Sequence, residues 1–301
     1  MGIRKVIVER TRKNFIKLCT DADVPRMATE DYPDHVNVIR DFRYIDDDDI
    51  FHRFDIYFPD GVSFENQEKK RLILDIHGGG FVYGVKEINM CFNMHVAKRT
   101  GIPVASVNYT LFPTGSIIKM VGEIVTAMAY LKETYGVEEF TLMGDSAGAF
   151  LAFCTWGVLT DKDIRHEFMC FKKLKVDITG LILICPAVTD SQRFISGLEE
   201  VYFEGDDKNH IPKYAKDLKN LLIKSKYPPP KTLLITSDKD SMHEDTVGLY
   251  EAMKEAGVDV RFFDGVTKEG GHDLFHVYVV GHPDWEESEK PLHMIEELVV
   301  Q

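Results

Sequence analysis

An α/β fold, with a mostly parallel central sheet flanked by helices, is predicted by three observations. From residue 71 onward, short apolar runs alternate with longer amphipathic ones, the pattern of strand and helix in turn. One of these transitions is tight: Phe140-Thr141-Leu142-Met143 leads through Gly144-Asp145-Ser146-Ala147-Gly148 into an apolar stretch ending near Val158. Finally, 301 residues of 44% hydrophobic composition can bury one large core, so residues 1–301 are read as a single domain.

Residues 1 to about 30 carry Val8, Phe15, Ile16 and Leu18 at helix-like spacing among basic residues. Residues 36–44 and 51–58 read as two strands of an antiparallel hairpin. Between them, Asp46, Asp47, Asp48 and Asp49 lack the D-x-D-x-D-G spacing of a calcium loop and read as a solvated turn. The alternating region is expected to run strand 71–76, strand 103–107, helix about 117–135, strand 139–143, helix 147–158 and strand 178–185. It then continues with strand 232–236, helix 245–256, strand 258–263 and helix about 286–299. Between residues 190 and 227 the rhythm breaks for longer than a plain connection needs, which suggests an inserted helical cap rich in Phe, Tyr and Leu.

The net charge of −13 argues against nucleic acid or an anionic membrane as a partner, since both would be repelled over the whole surface. No run is long enough to span a bilayer and the N-terminus lacks an apolar signal core, so a cytoplasmic location is expected. Cys19, Cys91, Cys154, Cys170 and Cys185 are odd in number and set among apolar residues. They read as small buried hydrophobes in a reducing compartment, with no disulfide framework or metal site.

Two motifs carry chemistry. A serine at the tip of a strand-turn-helix, Ser146, projects its hydroxyl away from both elements, and the flanking glycines avoid collision with their neighbours. The second motif, His77-Gly78-Gly79-Gly80, directly follows the apolar run 71–76 and exposes backbone N–H groups. In their chain order the two motifs resemble the α/β-hydrolase fold, and within it the hormone-sensitive-lipase-like carboxylesterases, over roughly residues 70 to 300. Phe81-Val82-Tyr83-Gly84, Val107-Asn108-Tyr109 and Tyr227-Pro228-Pro229 extend the match. Thr110-Leu111-Phe112-Pro113 departs from it, replacing the family's R-L-A-P, so that loop lacks the residues that usually anchor it. The resemblance also implies that cap elements lie at about 1–35 and 190–227.

A serine hydroxyl is a weak nucleophile at neutral pH and needs a base, which in turn needs a partner to hold its tautomer. The resembled fold orders these Ser, acid, His, with the acid after a late strand and the histidine before the last helix. Asp238 and Asp240 both follow strand 232–236. The family's D-P-L-x-D-E aligns on Asp240-Ser241-Met242-His243-Glu244-Asp245, which favours Asp240 and leaves Asp238 as the alternative, otherwise a turn residue. Among His272, His276 and His282, the resembled family's spacing to the last helix favours His276, with His272 the alternative. The oxyanion donors implied by the resemblance are the N–H groups of Gly79, Gly80 and Ala147. His77 is expected to stabilise its loop, and Asp145 to bond nearby backbone.

The function implied is a serine carboxylic-ester hydrolase that works through an acyl-enzyme on short-to-medium acyl or acetyl esters, without metal or organic cofactor. Its partner would be a small-molecule ester, and a homodimer is left open. The same triad also serves amide or peptide hydrolysis. Members of the fold that have lost a triad residue act as ligand-binding proteins, against which the joint presence of Ser146, Asp240 and His276 argues.

Overall fold

The computed structural model describes residues 3–170, 173–188 and 212–300. Eight strands form one sheet: β1 (Val36–Arg43), β2 (Arg53–Pro59), β3 (Arg71–Ile76), β4 (Val104–Val107), β5 (Glu139–Asp145), β6 (Asp177–Ile184), β7 (Thr232–Ser237) and β8 (Val260–Gly265). Their order is β1-β2-β4-β3-β5-β6-β7-β8. The expected hairpin is present, with β1 antiparallel to β2 and β2 antiparallel to β4, while every pair from β4 through β3 to β8 is parallel.

Side chains alternate between faces along a strand, so each parallel strand feeds two cores. Leu72, Leu74, Phe140, Leu142, Leu181, Leu183 and Leu234 belong to one; Ile73, Met143, Ile182, Ile184, Leu233 and Ile235 belong to the other. Helices α3 (Ile117–Tyr135), α4 (Ala147–Thr160), α6 (Leu218–Lys224) and α7 (His243–Glu255) supply the first core. Helices α2 (Met90–Thr100) and α9 (Glu286–Val300) supply the second, beside the single turn α8 (Tyr278–Gly281). Buried on every side, α4 is apolar all round, as a helix between sheet and outer helices must be. The bounds of α3 follow from its caps: the Ser116 side chain accepts from Lys119 N–H, and Gly136 closes the other end at φ 75°.

Three helices were absent from the sequence expectation: α2, the short α5 (Lys162–Glu167) and the single turn α8. Asn93 and His95 interrupt the apolar pattern of α2, and Asn93 proves to be wholly buried for a polar reason given below. The N-terminal helix α1 (Ile3–Met27) packs through Phe15, with Val8, Ile16 and Cys19 alongside, against the α3/α4 side core. Of the expected cap segment 190–227, the part 190–211 lies outside the described residues. The remainder holds the 3-10 turn Lys213–Lys216 and α6, whose Leu218, Leu221 and Leu222 are buried.

The loop after β4, which lacks its usual anchoring residues, is tied down by a different set. Glu123 on α3 accepts from the Thr110 N–H (2.7 Å) and the Thr110 hydroxyl (2.7 Å), and His52 Nε2 lies 3.0 Å from the same carboxylate. Glu123→Ala strands these buried donors, so it is expected to destabilise the fold by about 1–3 kcal/mol per stranded group. A urea midpoint indistinguishable from that of the parent would refute this anchoring. The Asp46–Asp49 turn is organised by its own acids: Asp47 contacts His52 Nδ1 (2.7 Å), and Asp49 accepts from the Phe51 N–H (2.9 Å).

Candidate active site

At the junction of β5 and α4, Ser146 has φ 50°, a left-handed backbone that L residues adopt only when their surroundings enforce it. Its N–H donates to Ile184 O (2.8 Å), and its carbonyl accepts from Ala187 N–H (3.0 Å). The flanking glycines have a measurable reason: a Cβ on Gly148 would stand 1.8 Å from Ile76 O, and one on Gly144 2.6 Å from the Gly148 backbone. The turn therefore closes only with hydrogen at both positions.

His276 reaches the serine from the segment after β8. Its Nε2 lies 2.9 Å from Ser146 Oγ, and its Nδ1 lies 2.6 Å from Asp240 Oδ1. What brings acid and histidine together is a lone parallel bridge between Lys239 and Phe275, which sets the next residue of each strand side by side. Asp240 also accepts from Thr236 Oγ1 (2.7 Å) and the Met242 N–H (2.9 Å). Burial pushes its carboxyl pKa up, but the hydrogen bond and charge of His276 outweigh it and hold the group below the usual carboxylate range.

The alternatives are engaged elsewhere. Exposed Asp238 accepts from the N–H and hydroxyl of Thr267, and exposed His272 contacts Glu287 (3.1 Å) and stacks on Trp285. His282 stacks on the other face of that indole, 4.0 Å between ring centres.

Gly79 (φ 100°) and Gly80 (φ 57°) border the same cavity as Ser146, and Ala147 begins α4. Among the described residues, none of these three N–H groups has an acceptor. His77 is wholly buried and flat against Tyr109, whose hydroxyl donates to His77 O (2.7 Å); burial lowers its pKa to about 4, so it is neutral. Asp145 bonds backbone from much farther along the chain than expected, accepting from Gly78 N–H (3.0 Å) at the start of the glycine loop.

A cavity of about 300 Å³ opens over the serine. Its walls include Phe15, Leu18 and Ala22 of α1 together with Val277 and Val280, and Asp23, Arg26, Asn89, Asp145 and His282 are among its polar members. One grouping of metal-ligating side chains occurs among the described residues, Cys185, Asp240 and His276, with ligand atoms within 4.8 Å. Since Asp240 and His276 are already bonded to each other, an ion there would take that pair apart. Also among the described residues, no helix is long and apolar enough to cross a membrane.

A hydroxyl, an imidazole and a carboxylate in series, beside free N–H groups, can deliver an oxygen nucleophile to a carbonyl and hold the charge that results. Comparison with known proteins bears on the same segment. A family model described as the alpha/beta hydrolase fold matches residues 73–276. The chain belongs to the alpha/beta hydrolase fold family. This agrees with the fold resemblance read from the two glycine motifs.

Within the alpha/beta hydrolase fold family, the chain is similar to a probable isoprenylcysteine alpha-carbonyl methylesterase of Oryza sativa, 30% identical over 121 residues, covering 38% of this chain and 28% of that protein. It is also similar to an acetyl esterase of Salmonella typhi, 34% identical over 95 residues, covering 30% and 29%. The matched segment thus spans less than a third of the length of these curated relatives. Among solved structures, esterase B from Lactobacillus rhamnosis superposes with a TM-score of 0.87 at 21% identity, covering 99% of this chain and 96% of that one. An esterase of the bacterial hormone-sensitive lipase family gives 0.72 at 16% identity, covering 97% of each. These two likenesses bear on the fold.

Sequence reasoning missed Thr236 behind Asp240 and a polar cluster of Asp75, Asn89, Asn93 and Ser106 beneath the glycine loop. One signal for the cluster was available: Asp75 interrupts the apolar strand Arg71-Leu72-Ile73-Leu74-Asp75-Ile76.

Proposed function

We propose that this protein is a serine hydrolase that cleaves carboxylic esters through an acyl-enzyme. The observation that carries the reading is the unbroken series Ser146 Oγ, His276 Nε2, His276 Nδ1, Asp240 Oδ1, with contacts of 2.9 and 2.6 Å. In this reading His276 takes the hydroxyl proton as Ser146 Oγ attacks the ester carbonyl, and Asp240 holds the tautomer that leaves Nε2 free as acceptor. The carbonyl oxygen becomes an oxyanion facing Gly79, Gly80 and Ala147. Collapse expels the alcohol, which receives the proton from His276, and water then enters by the same route to release the acid. Every proton moves between chain and substrate, so the scheme calls for no metal or organic cofactor.

The curated relatives, both esterases by name, support ester over amide. The cavity supports a short-to-medium acyl group, since about 300 Å³ is the small end of the range for ligand sites. In this reading α1 is a cap element that shapes the pocket, as its contribution of Phe15, Leu18 and Ala22 to the wall suggests. Five cysteines, odd in number, scattered along the chain and set among apolar residues, fit a reducing compartment, the cytoplasm.

A panel of p-nitrophenyl esters of increasing acyl length tests the substrate class. We expect kcat/KM to be highest for short chains and to fall steeply once the acyl group outgrows the cavity. A maximum at long-chain esters, or turnover of anilides in preference to every ester, would overturn it.

A further inference from the structure

Below the glycine loop, on the α2 side of the sheet, two carboxylates are buried with no ion-pair partner among the described residues. Asp75 on β3 is 1% exposed and Asp145 on β5 is 5% exposed. A single amide joins them: Asn89 Nδ2 donates to Asp145 Oδ1 at 2.8 Å and lies 3.3 and 3.4 Å from the two oxygens of Asp75. Asp75 Oδ2 also lies 2.7 Å from Asn93 Nδ2 and 2.9 Å from Ser106 Oγ. Lys86, whose carbonyl lies 3.1 Å from Ser106 Oγ, turns its ammonium to Asp55 (2.9 Å), Asp41 and Glu87.

The arrangement is short of protons. Asn93 Oδ1 is buried without a donor, and Ser106 has one hydroxyl hydrogen for two acceptors, Asp75 Oδ2 and Lys86 O (3.1 Å). Directed to Lys86 O, that hydrogen leaves the contact of Ser106 with Asp75 to be completed by a proton on the carboxyl. Two unpaired buried anions sharing one amide would repel each other at low dielectric, and a single added proton removes both difficulties.

We infer that Asp75 is a neutral carboxylic acid at neutral pH and a positioning residue for the glycine loop, leaving Asp145 the one charged member of the pair. Asp145 needs that charge, because it holds Gly78 N–H and is the acceptor Asn89 favours. The surroundings agree in direction. Burial raises the Asp75 carboxyl against the bond from Asn93 and, with the Asp145 charge adding to it, to about 7. The other titratable groups facing the pair are Tyr57 from β2, Tyr109 after β4, Cys185 after β6, Asp23 from α1 and His276. Of these, only His276, when protonated, is a cation, and it acts on Asp145. Ionisation of Asp75 at alkaline pH would draw Asn89 away from Asp145 and slacken the loop that presents Gly79 and Gly80. That last consequence rests on the proposed esterase reading, whereas the proton on Asp75 does not.

Infrared spectroscopy of the whole protein, with and without carboxyl-13C aspartate, reads the proton directly. The expected result is an isotope-sensitive protonated-carboxyl band at pH 6 that fades as the pH rises and is missing from Asp75→Asn. No such band in the parent, or a band retained in Asp75→Asn, would overturn the assignment, the second placing the proton on Asp145. The parent titration stands without any variant. Stability supplies a second reading: between about 4 and about 7 the folded chain holds a proton that the unfolded chain has released, so this group makes stability fall as pH rises through that window. Asp75→Asn is expected to lack that slope, and an unchanged slope counts against the proposal.

Activity then tests the positioning role. The parent kcat should decline on the alkaline side, and Asp75→Asn, normalised to its own maximum, should lose that decline. Asp75→Ala should lower kcat more than KM, with Asp75→Asn recovering most of the loss. Identical alkaline limbs in parent and Asp75→Asn would overturn the positioning role. If the band behaves as expected while no ester is turned over, it is the esterase reading that fails.

Discussion

Ser146→Ala is expected to lower ester turnover by roughly 10⁴–10⁶ in kcat, because members of a triad act as a unit and an oxyanion hole alone gives only residual catalysis. The protein should stay folded. The backbone bonds that close the elbow, Ser146 N–H to Ile184 O and Ala187 N–H to Ser146 O, do not involve the hydroxyl, and alanine fits φ 50° no worse than serine does. Labelling by a fluorophosphonate should vanish with the hydroxyl, since the covalent adduct forms on that oxygen. A folded Ser146→Ala protein that still turned over esters at the parent rate would end the nucleophile assignment. Labelling retained in the variant would place the reactive oxygen elsewhere.

Second in size is the separation of two histidines four residues apart. His276→Ala removes the group between Ser146 Oγ and Asp240 Oδ1 and is expected to cost roughly 10³–10⁶ in kcat. His272→Ala, which gives up only a surface contact with Glu287 and a stack on Trp285, should cost about tenfold or less. The pH profile carries the sign. Only a neutral imidazole accepts the serine proton, and its partner Asp240 is held below the usual carboxylate range. Parent activity should therefore fall on acidification. An inactive His272→Ala beside an active His276→Ala would reverse the assignment of the base.

The sheet was legible in the sequence because its strands are continuous apolar runs set off by turns. Strand 71–76 and helix 117–135 lie where the pattern put them, and the other expected elements differ at their ends by one or two residues. Ser146 was legible too, since strand, glycines and helix are all local. The acid and base were harder: Asp240 and His276 meet through one bridge, Lys239 to Phe275, that joins segments 36 residues apart and leaves no periodic trace. Motif alignment carried those two positions. Helix α2 was illegible because Asn93 and His95 break its apolar stripe, and the reason Asn93 breaks it, Asp75, sits on a strand that is its neighbour only in the fold. A polar residue inside an apolar run and polar residues inside a weak helix were halves of one signal.

The first helix has a consequence for how the pocket can change. It presents Phe15, Leu18 and Ala22 to the cavity, yet contributes no strand to the sheet and no member to the Ser146–His276–Asp240 series. In the proposed esterase reading, one part of the pocket wall is thus written in a stretch of chain separate from the reacting groups. A library randomised over the cavity-facing positions of α1 can explore new ester shapes while the proposed chemistry stays constant, which makes this helix the natural starting point for directed evolution of the proposed activity.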